Sequence, residues 1–292
     1  MNTPRLRSYA AIVVGAGVVA ALLAGCSSDS GSSVASDCKP KHENIQTISP
    51  GKLTIGVIDI PPFSSYNSGN PEGIDISIVN RIAKEDCLDP VYQQATYADA
   101  VQSISTGTID MALGTIDATE KRMTAVDFSG STYLDGMGIA SKSGAKTVSD
   151  LEKIGTVGTI EGYLWVEDLR KILGDKLKTY PSSVELKADF DAGRLGADVD
   201  AYGVLVPQFK DVKDVQVFLA NENPDPRVQA IVQAPEAAFP YTKGNTSLGQ
   251  ALSDGIAAQR QDGTVTKLIT DAGLSPKLAE VGQKQYVVPA SG

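Results

Sequence analysis

From residue 51 onward, short apolar runs alternate with stretches whose apolar residues recur every three or four positions. This alternation constrains the fold most, because strand periods interleaved with helix periods ask for sheets covered by helices, an α/β architecture. Residues 53–58 form a dense apolar run that reads as a buried strand. Ile74, Ile78 and Ile82 fall on one helical face, and that helix is expected to end near Cys87. Thr96 is placed as the N-cap of a second helix carrying Val101 and Ile104, with Gly107 where a helix-terminating glycine belongs. Residues 109–113 predict a second strand, and Gly162 precedes a helix bearing Trp165, Leu169 and Ile172 that Gly174 closes. A helix over 183–192 and strands over 200–206 and 215–219 follow. Leu248, Leu252 and Ile256 mark a long helix, which Gly263 separates from a last one containing Leu268 and Ile269. The folded part is roughly 240 residues, enough for two modest domains or one large one.

The start of the chain has a different character. Residues 1–8 carry Arg5 and Arg7 and no acid, and 9–25 form an unbroken run of apolar and small residues. A basic segment followed by a short apolar one reads as a secretory signal peptide, and the run is shorter than the about 20 residues a membrane span needs. Leu23-Ala24-Gly25-Cys26 matches the bacterial lipobox, which implies cleavage before Cys26 and diacylation of its thiol. The serine-rich stretch 27–37 has no aromatic residue to bury, so 26–49 is expected to be a flexible, lipid-anchored tether on the extracytoplasmic face of the cell membrane. Losing Arg5 and Arg7 leaves 24 basic against 35 acidic residues, a net charge of −11. Such a surface disfavours nucleic acid and anionic lipid headgroups.

With Cys26 lipidated, Cys38 and Cys87 remain, in a compartment that permits oxidation. A disulfide between them would pin the tether's end to the end of the first helix and contribute about 4 kcal/mol in the chain-entropy model. The alternative is two free thiols, with Cys87 buried on its helix. The one histidine, His42, lies beside the tether. No Cys/His cluster and no Ser/His/Asp or Cys/His set can form, so no metal or other cofactor is expected.

The order of several segments carries more than periodicity does. Pro61-Pro62-Phe63, Gly73-Ile74-Asp75, Gly107-Thr108-Ile109-Asp110, Thr119-Glu120-Lys121-Arg122 and Asp127-Phe128-Ser129 follow one another in that sequence. Together they resemble the family 3 solute-binding proteins of ABC transporters, the polar amino-acid binders, over about 50–275. The resemblance implies a bilobal type II periplasmic-binding-protein clamp, two α/β lobes joined by a two-strand hinge. Lobe one would comprise 50–140 plus 236–292 and lobe two 141–235, with crossings at 136–142 and 234–241.

The resemblance also implies site residues. Arg122, in the family's Thr-x-x-Arg, would hold a ligand carboxylate, for which a guanidinium fork is suited. Five residues earlier the family has a hydroxyl residue, but this chain has Asp117, which either caps the Thr119 turn, takes a ligand cation or neutralises Arg122. Thr115 is the remaining hydroxyl of that loop. In lobe two, Glu161, Tyr163 and Leu164 stand at the family's Gly-Thr/Ser-Thr loop, whose backbone N–H groups favour an anion. Leu205 occupies the place of an aspartate that binds the ligand's α-ammonium, so Asp117 or Glu161 would have to supply that acceptor. Phe63 remains as a first-lobe aromatic, whereas Ile60 replaces another, and Asp59 is a further carboxylate nearby.

The resulting expectation is a monomeric lipoprotein that binds a small polar carboxylated ligand and delivers it to an ABC permease. A ligand-sensing receptor with the same clamp is the alternative. A clamp-fold dehydratase using Asp117 or Glu161 is a third reading.

Overall fold

The computed structural model describes residues 34–35, 37–67, 69–282 and 287–288. The leader 1–25 and Cys26 lie outside the described residues. Among the described residues no helix is long and apolar enough to cross a membrane.

Two five-stranded sheets organise the chain. The first runs, edge to edge, Asp89–Ala95, Lys52–Ile58, Met111–Leu113, Pro240–Thr242 and Val126–Phe128. Its first three strands are parallel, and Pro240–Thr242 is antiparallel to both of its neighbours. The second runs Leu177–Tyr180, Val157–Ile160, Ala197–Ala201, Met137–Ser141 and Gln216–Leu219. Here too the first three are parallel, and Met137–Ser141 is antiparallel to both neighbours. The sheets therefore share one plan, in which the fourth strand is the one that arrives from the other sheet.

Helices cover the sheets, which is why strand Lys52–Ile58 is buried almost continuously rather than on alternate residues. Helix Ile74–Glu85 turns Ile74, Ile78 and Ile82 into the core and packs on helix Thr246–Gln261. At Gly255 the two helices touch closely: a Cβ there would lie 2.5 Å from Ile82 Cγ1. Gly263, left-handed at φ 82°, ends that helix before Thr264–Asp271 begins.

Three sequence expectations need correction. The strand expected over 200–206 is instead strand Ala197–Ala201 followed by helix Tyr202–Phe209. The apolar run reads as strand, but the Tyr202 N–H donates to Gly136 O at 2.7 Å and turns the chain out of the sheet. Leu205 then packs over Gly138, where a Cβ would lie 2.7 Å from Leu205 Cδ1. The first crossing lies before 136–142, since Met137–Ser141 already belongs to the second sheet. The crossing strands are Tyr133–Leu134 and Glu236–Ala237, an antiparallel pair.

The ordered chain also begins before Gly51. Cys38 and Cys87 form a disulfide, with Cα atoms 5.8 Å apart, which excludes the free-thiol alternative. His42 N–H donates to Asp86 Oδ1 at 2.7 Å, and its ring lies 3.0 Å from Asp86 and 3.3 Å from Asp254. Ile48 N–H donates to Asp110 Oδ1 at 2.8 Å, and Asn245 Nδ2 donates to Gln46 O at 2.7 Å. Residues 38–49, expected as tether, are thus docked, because their backbone and charged groups find partners on the first lobe.

Candidate functional site

In open α/β sheets, ligands bind beyond the carboxyl ends of the strands where the strand order reverses. The first sheet reverses between Lys52–Ile58 and Met111–Leu113, and the second between Val157–Ile160 and Ala197–Ala201. The loops at these points hold 59–63 and 114–117 on one side and 161–165 on the other, where the junction of strand Ala197–Ala201 with helix Tyr202–Phe209 joins them.

The first-lobe loop is fixed tightly. Asp75 is fully buried, and its carboxylate accepts from Tyr133 Oη at 2.6 Å and from Gly114 N–H at 3.1 Å. Gly114 and Thr115 have φ of 130° and 48°, so the carboxylate holds a turn that only glycine adopts without strain at the first position. Tyr97, the first residue of helix Tyr97–Ser105, donates to Gly114 O and lies 2.5 Å from Thr115 Oγ1. Thr119 Oγ1 accepts from Arg122 N–H at 2.9 Å, so Thr119 caps this short turn itself. Asp117 does not cap it; Asp117 is buried beside the hinge and bridges Ala237.

Arg122 is half-buried and spans the cleft. Its Nη1 donates to Asp117 O and its Nη2 to Gly162 O, both at 2.9 Å. Beside this link, the rings of Tyr97 and Tyr163 meet edge to face at 4.8 Å across the two lobes. Phe63 is buried, stacks on Tyr133 at 4.7 Å, and faces Gly203, where a Cβ would lie 2.5 Å from its ring.

In the second lobe, Tyr163 is buried and donates through Oη to Asp200 Oδ1 at 2.7 Å. Leu164 is half-buried against the core. Trp165 packs inside the lobe, its Nε1 donating to Thr159 Oγ1 at 2.9 Å. Glu161 is exposed, so it is not the buried acceptor expected at this loop. Leu205 faces the core from its helix, and the acid of this segment is Asp200, inside the strand rather than after it. Asp59 is half-buried, with Oδ1 shielded and without a hydrogen-bond partner.

The electrostatics are unusual for so acidic a place. Burial pushes Asp75 up to about 7 against the pull of the Tyr133, Gly114 and Thr115 bonds. It pushes Asp117 up to about 7 as well, with the Arg122 charge opposing. Asp135, directly after hinge strand Tyr133–Leu134, is held well above the carboxylate range by burial and then by the charges of Asp117 and Asp200. Burial raises Asp200 too, while hydrogen bonding from Ser183, Tyr163 and Ala201 opposes the rise. Sequence reasoning missed Asp135 and Asp200. The available signal was the Asp-x-Asp of 198–200, whose alternate residues share one face of a strand.

Two α/β lobes of matched topology, hinged by a strand pair and joined across facing switch points by Arg122, define the class of bilobal type II solute-binding clamps. Residues 53–272 match the bacterial extracellular solute-binding proteins, family 3, and the chain belongs to that family. It is 32% identical over 165 residues to a glutamine-binding protein of Geobacillus stearothermophilus, covering 51% of this chain and 63% of that one. It is 26% identical over 225 residues to the L-cystine-binding protein TcyJ of Escherichia coli K12, covering 75% and 81%. The chain spans between about half and two thirds of the first curated relatives it matches, 49% in the case of a probable histidine-binding protein of Neisseria gonorrhoeae. Among solved structures, the substrate-binding protein of an amino acid ABC transporter superposes with a TM-score of 0.66 at 25% identity, covering 76% of this chain and 98% of that one. A cysteine-binding protein from Campylobacter jejuni shares the fold at a TM-score of 0.66 and 22% identity, covering 80% and 93%.

Proposed function

We propose that this protein is the substrate-binding component of an ABC importer, closing on an amino acid or a close derivative and delivering it to a membrane permease. The observation that carries the reading is the cross-cleft placement of Arg122, on a first-lobe turn and within hydrogen-bond distance of the second-lobe loop. The relatives named as glutamine-, histidine- and cystine-binding proteins support the ligand class. In this reading lobe one is 38–134 with 238–282, and lobe two is 137–235. Arg122, with three N–H groups beyond the two already used, receives the ligand carboxylate, assisted by Thr115 and the backbone around Tyr163. Phe63 and Tyr163 wall the cleft. Export, cleavage before Cys26 and acylation there hold the protein as a monomer on the extracytoplasmic face of the cell membrane, and it binds rather than transforms its ligand.

The test is a thermal-shift screen of the protein with a panel of amino and organic acids, followed by uptake measurements in a deletion strain. A raised melting temperature with an amino acid, and lost uptake of that compound on deletion, are the expected results. No shift with any member of the panel contradicts the reading. A shift with normal uptake in the deletion strain favours a sensing receptor.

A further inference from the structure

The hinge floor gathers more carboxyl groups than its one guanidinium can meet. Asp117 lies at the hinge through its bridge to Ala237, and Asp135 follows the first hinge strand, its N–H donating to Pro235 O at 2.8 Å. Asp200 approaches from the second lobe through Tyr163, whose ring meets Tyr97 of the first lobe. Asp117 and Asp200 are 5% and 0% exposed, Asp117 Oδ1 has no hydrogen-bond partner, and Asp200 Oδ2 has none in good geometry, with Ser183 beside that carboxylate. A shielded carboxylate oxygen without a donor is costly, and it is the kind of group that a ligand N–H relieves. Arg122 does not relieve them: the two N–H groups it commits go to main-chain carbonyls.

The occupant's chemistry follows from these groups. Among the described residues, no three His, Cys, Asp or Glu side chains converge to hold a metal ion. Orphaned acceptors call for N–H donors, which a quaternary ammonium lacks, and the Tyr97 and Tyr163 rings are compatible with a cation beside them.

Building on the amino-acid-binding reading, we infer that the ligand is an amino acid with a cationic, N–H-bearing side chain, such as a guanidinium or ammonium, received by Asp117, Asp135 and Asp200. One carboxylate on Arg122 and two cationic groups on the acids would leave the closed cleft closer to neutrality than a neutral amino acid could. The burial-raised affinities of Asp117, Asp135 and Asp200 for protons are the ligand-free counterpart, with protons standing where the cations would.

The experiment is calorimetric titration of the full-length protein with L-arginine, L-lysine, L-citrulline, L-glutamine and L-glutamate. L-Citrulline keeps the shape of arginine and replaces its guanidinium with a neutral urea. L-Arginine or L-lysine is expected to bind about 30-fold or more tighter than L-citrulline and L-glutamine, the scale of a buried charge contact. Asp135→Asn and Asp200→Asn, each checked for an unchanged circular dichroism spectrum, should shrink that gap at least several-fold. If L-glutamine or L-citrulline binds as tightly as the cationic ligands, or the gap persists in both variants, the inference fails while the amino-acid reading stands. Binding of none of the five defeats the inference, while the amino-acid reading stands or falls with the wider thermal-shift panel.

Discussion

The two faces of the cleft are built on one topological plan, yet they spend their charges differently. On the first-lobe side the Asp75 carboxylate is saturated, with Tyr133 and Gly114 donating to it, and it serves to fix the 114–115 turn. On the second-lobe side one Asp200 oxygen accepts from Tyr163 and Ala201, while the other has no partner in good geometry. The first carboxylate is scaffold, and the second retains unmet hydrogen-bonding capacity. A buried acid can do either, and how its donors are distributed over its two oxygens separates the two roles: Asp75 has one on each, Asp200 has both on Oδ1.

The largest effect is expected where the faces meet. Arg122→Ala should weaken binding of the best ligand by about 4 kcal/mol in calorimetry, because it removes the cross-cleft cation and leaves Asp117 buried without it. A loss below about 1 kcal/mol would mean that the first-lobe turn does not grip the ligand. Removing the Cys38–Cys87 disulfide through Cys38→Ser with Cys87→Ser should cost about 4 kcal/mol in chemical denaturation, for a loop closed across 49 residues. Ligand affinity should be preserved, since the bridge lies on the first lobe away from the cleft. Asp200→Asn should cost about 2–3 kcal/mol of binding while leaving or raising the ligand-free stability, whereas Asp75→Asn should lower stability by loosening the 114–115 turn. Equal behaviour of the two variants in both assays would erase the proposed contrast between scaffold and binding acid.

A pH series sharpens the contrast further. Asp75 and Asp117 sit at about 7 in the folded protein against an ordinary value of 3.8, so the native state holds protons that the unfolded chain releases. Ligand-free stability is then fully present below about pH 4 and falls as pH rises through 7, by about 2 kcal/mol per group between pH 5 and pH 7. Affinity for a cationic ligand should run the other way, rising from pH 5 to pH 8 as the acids ionise. Denaturation midpoints and titrations on the same samples check both slopes, and parallel slopes would break the account. The smallest effect concerns a residue placed inside a lobe. Trp165→Phe should cost about 1 kcal/mol of stability through the lost Thr159 hydrogen bond, with binding unchanged.

The same contrast explains what the sequence made legible. The first-lobe half could be read because its parts are local in the chain: Gly73-Ile74-Asp75 and Thr119-x-x-Arg122 each place a glycine, cap or charge within a few residues. Helix faces such as Ile74, Ile78 and Ile82 were equally plain, since burial follows the 3.6-residue period. The second-lobe half was misread because residues 202–206 are apolar enough to pass for strand, and only the Tyr202–Gly136 bond and the packing of Leu205 on Gly138 decide for helix. The acceptor was sought at Leu205, where the family's aspartate would stand, and at Glu161, whereas the buried acid of this segment is Asp200, inside the preceding strand. Asp135 was invisible for another reason: its significance comes from Asp117 and Asp200, neither of which is near it in sequence. The docking of 38–49 likewise depends on partners that are remote in the chain, Asp86, Asp110, Asn245 and Asp254.

The central claim is that residues from both lobes hold one and the same ligand, and a double-mutant cycle on Arg122→Ala and Asp200→Asn tests it most directly. Four calorimetric titrations, of the wild type, each single variant and the pair, give the coupling between a first-lobe cation and a second-lobe acid. The account predicts a coupling of about 1 kcal/mol or more, as expected for groups that share a partner. Losses that simply add, within about 0.5 kcal/mol, would show the two residues acting independently and contradict it.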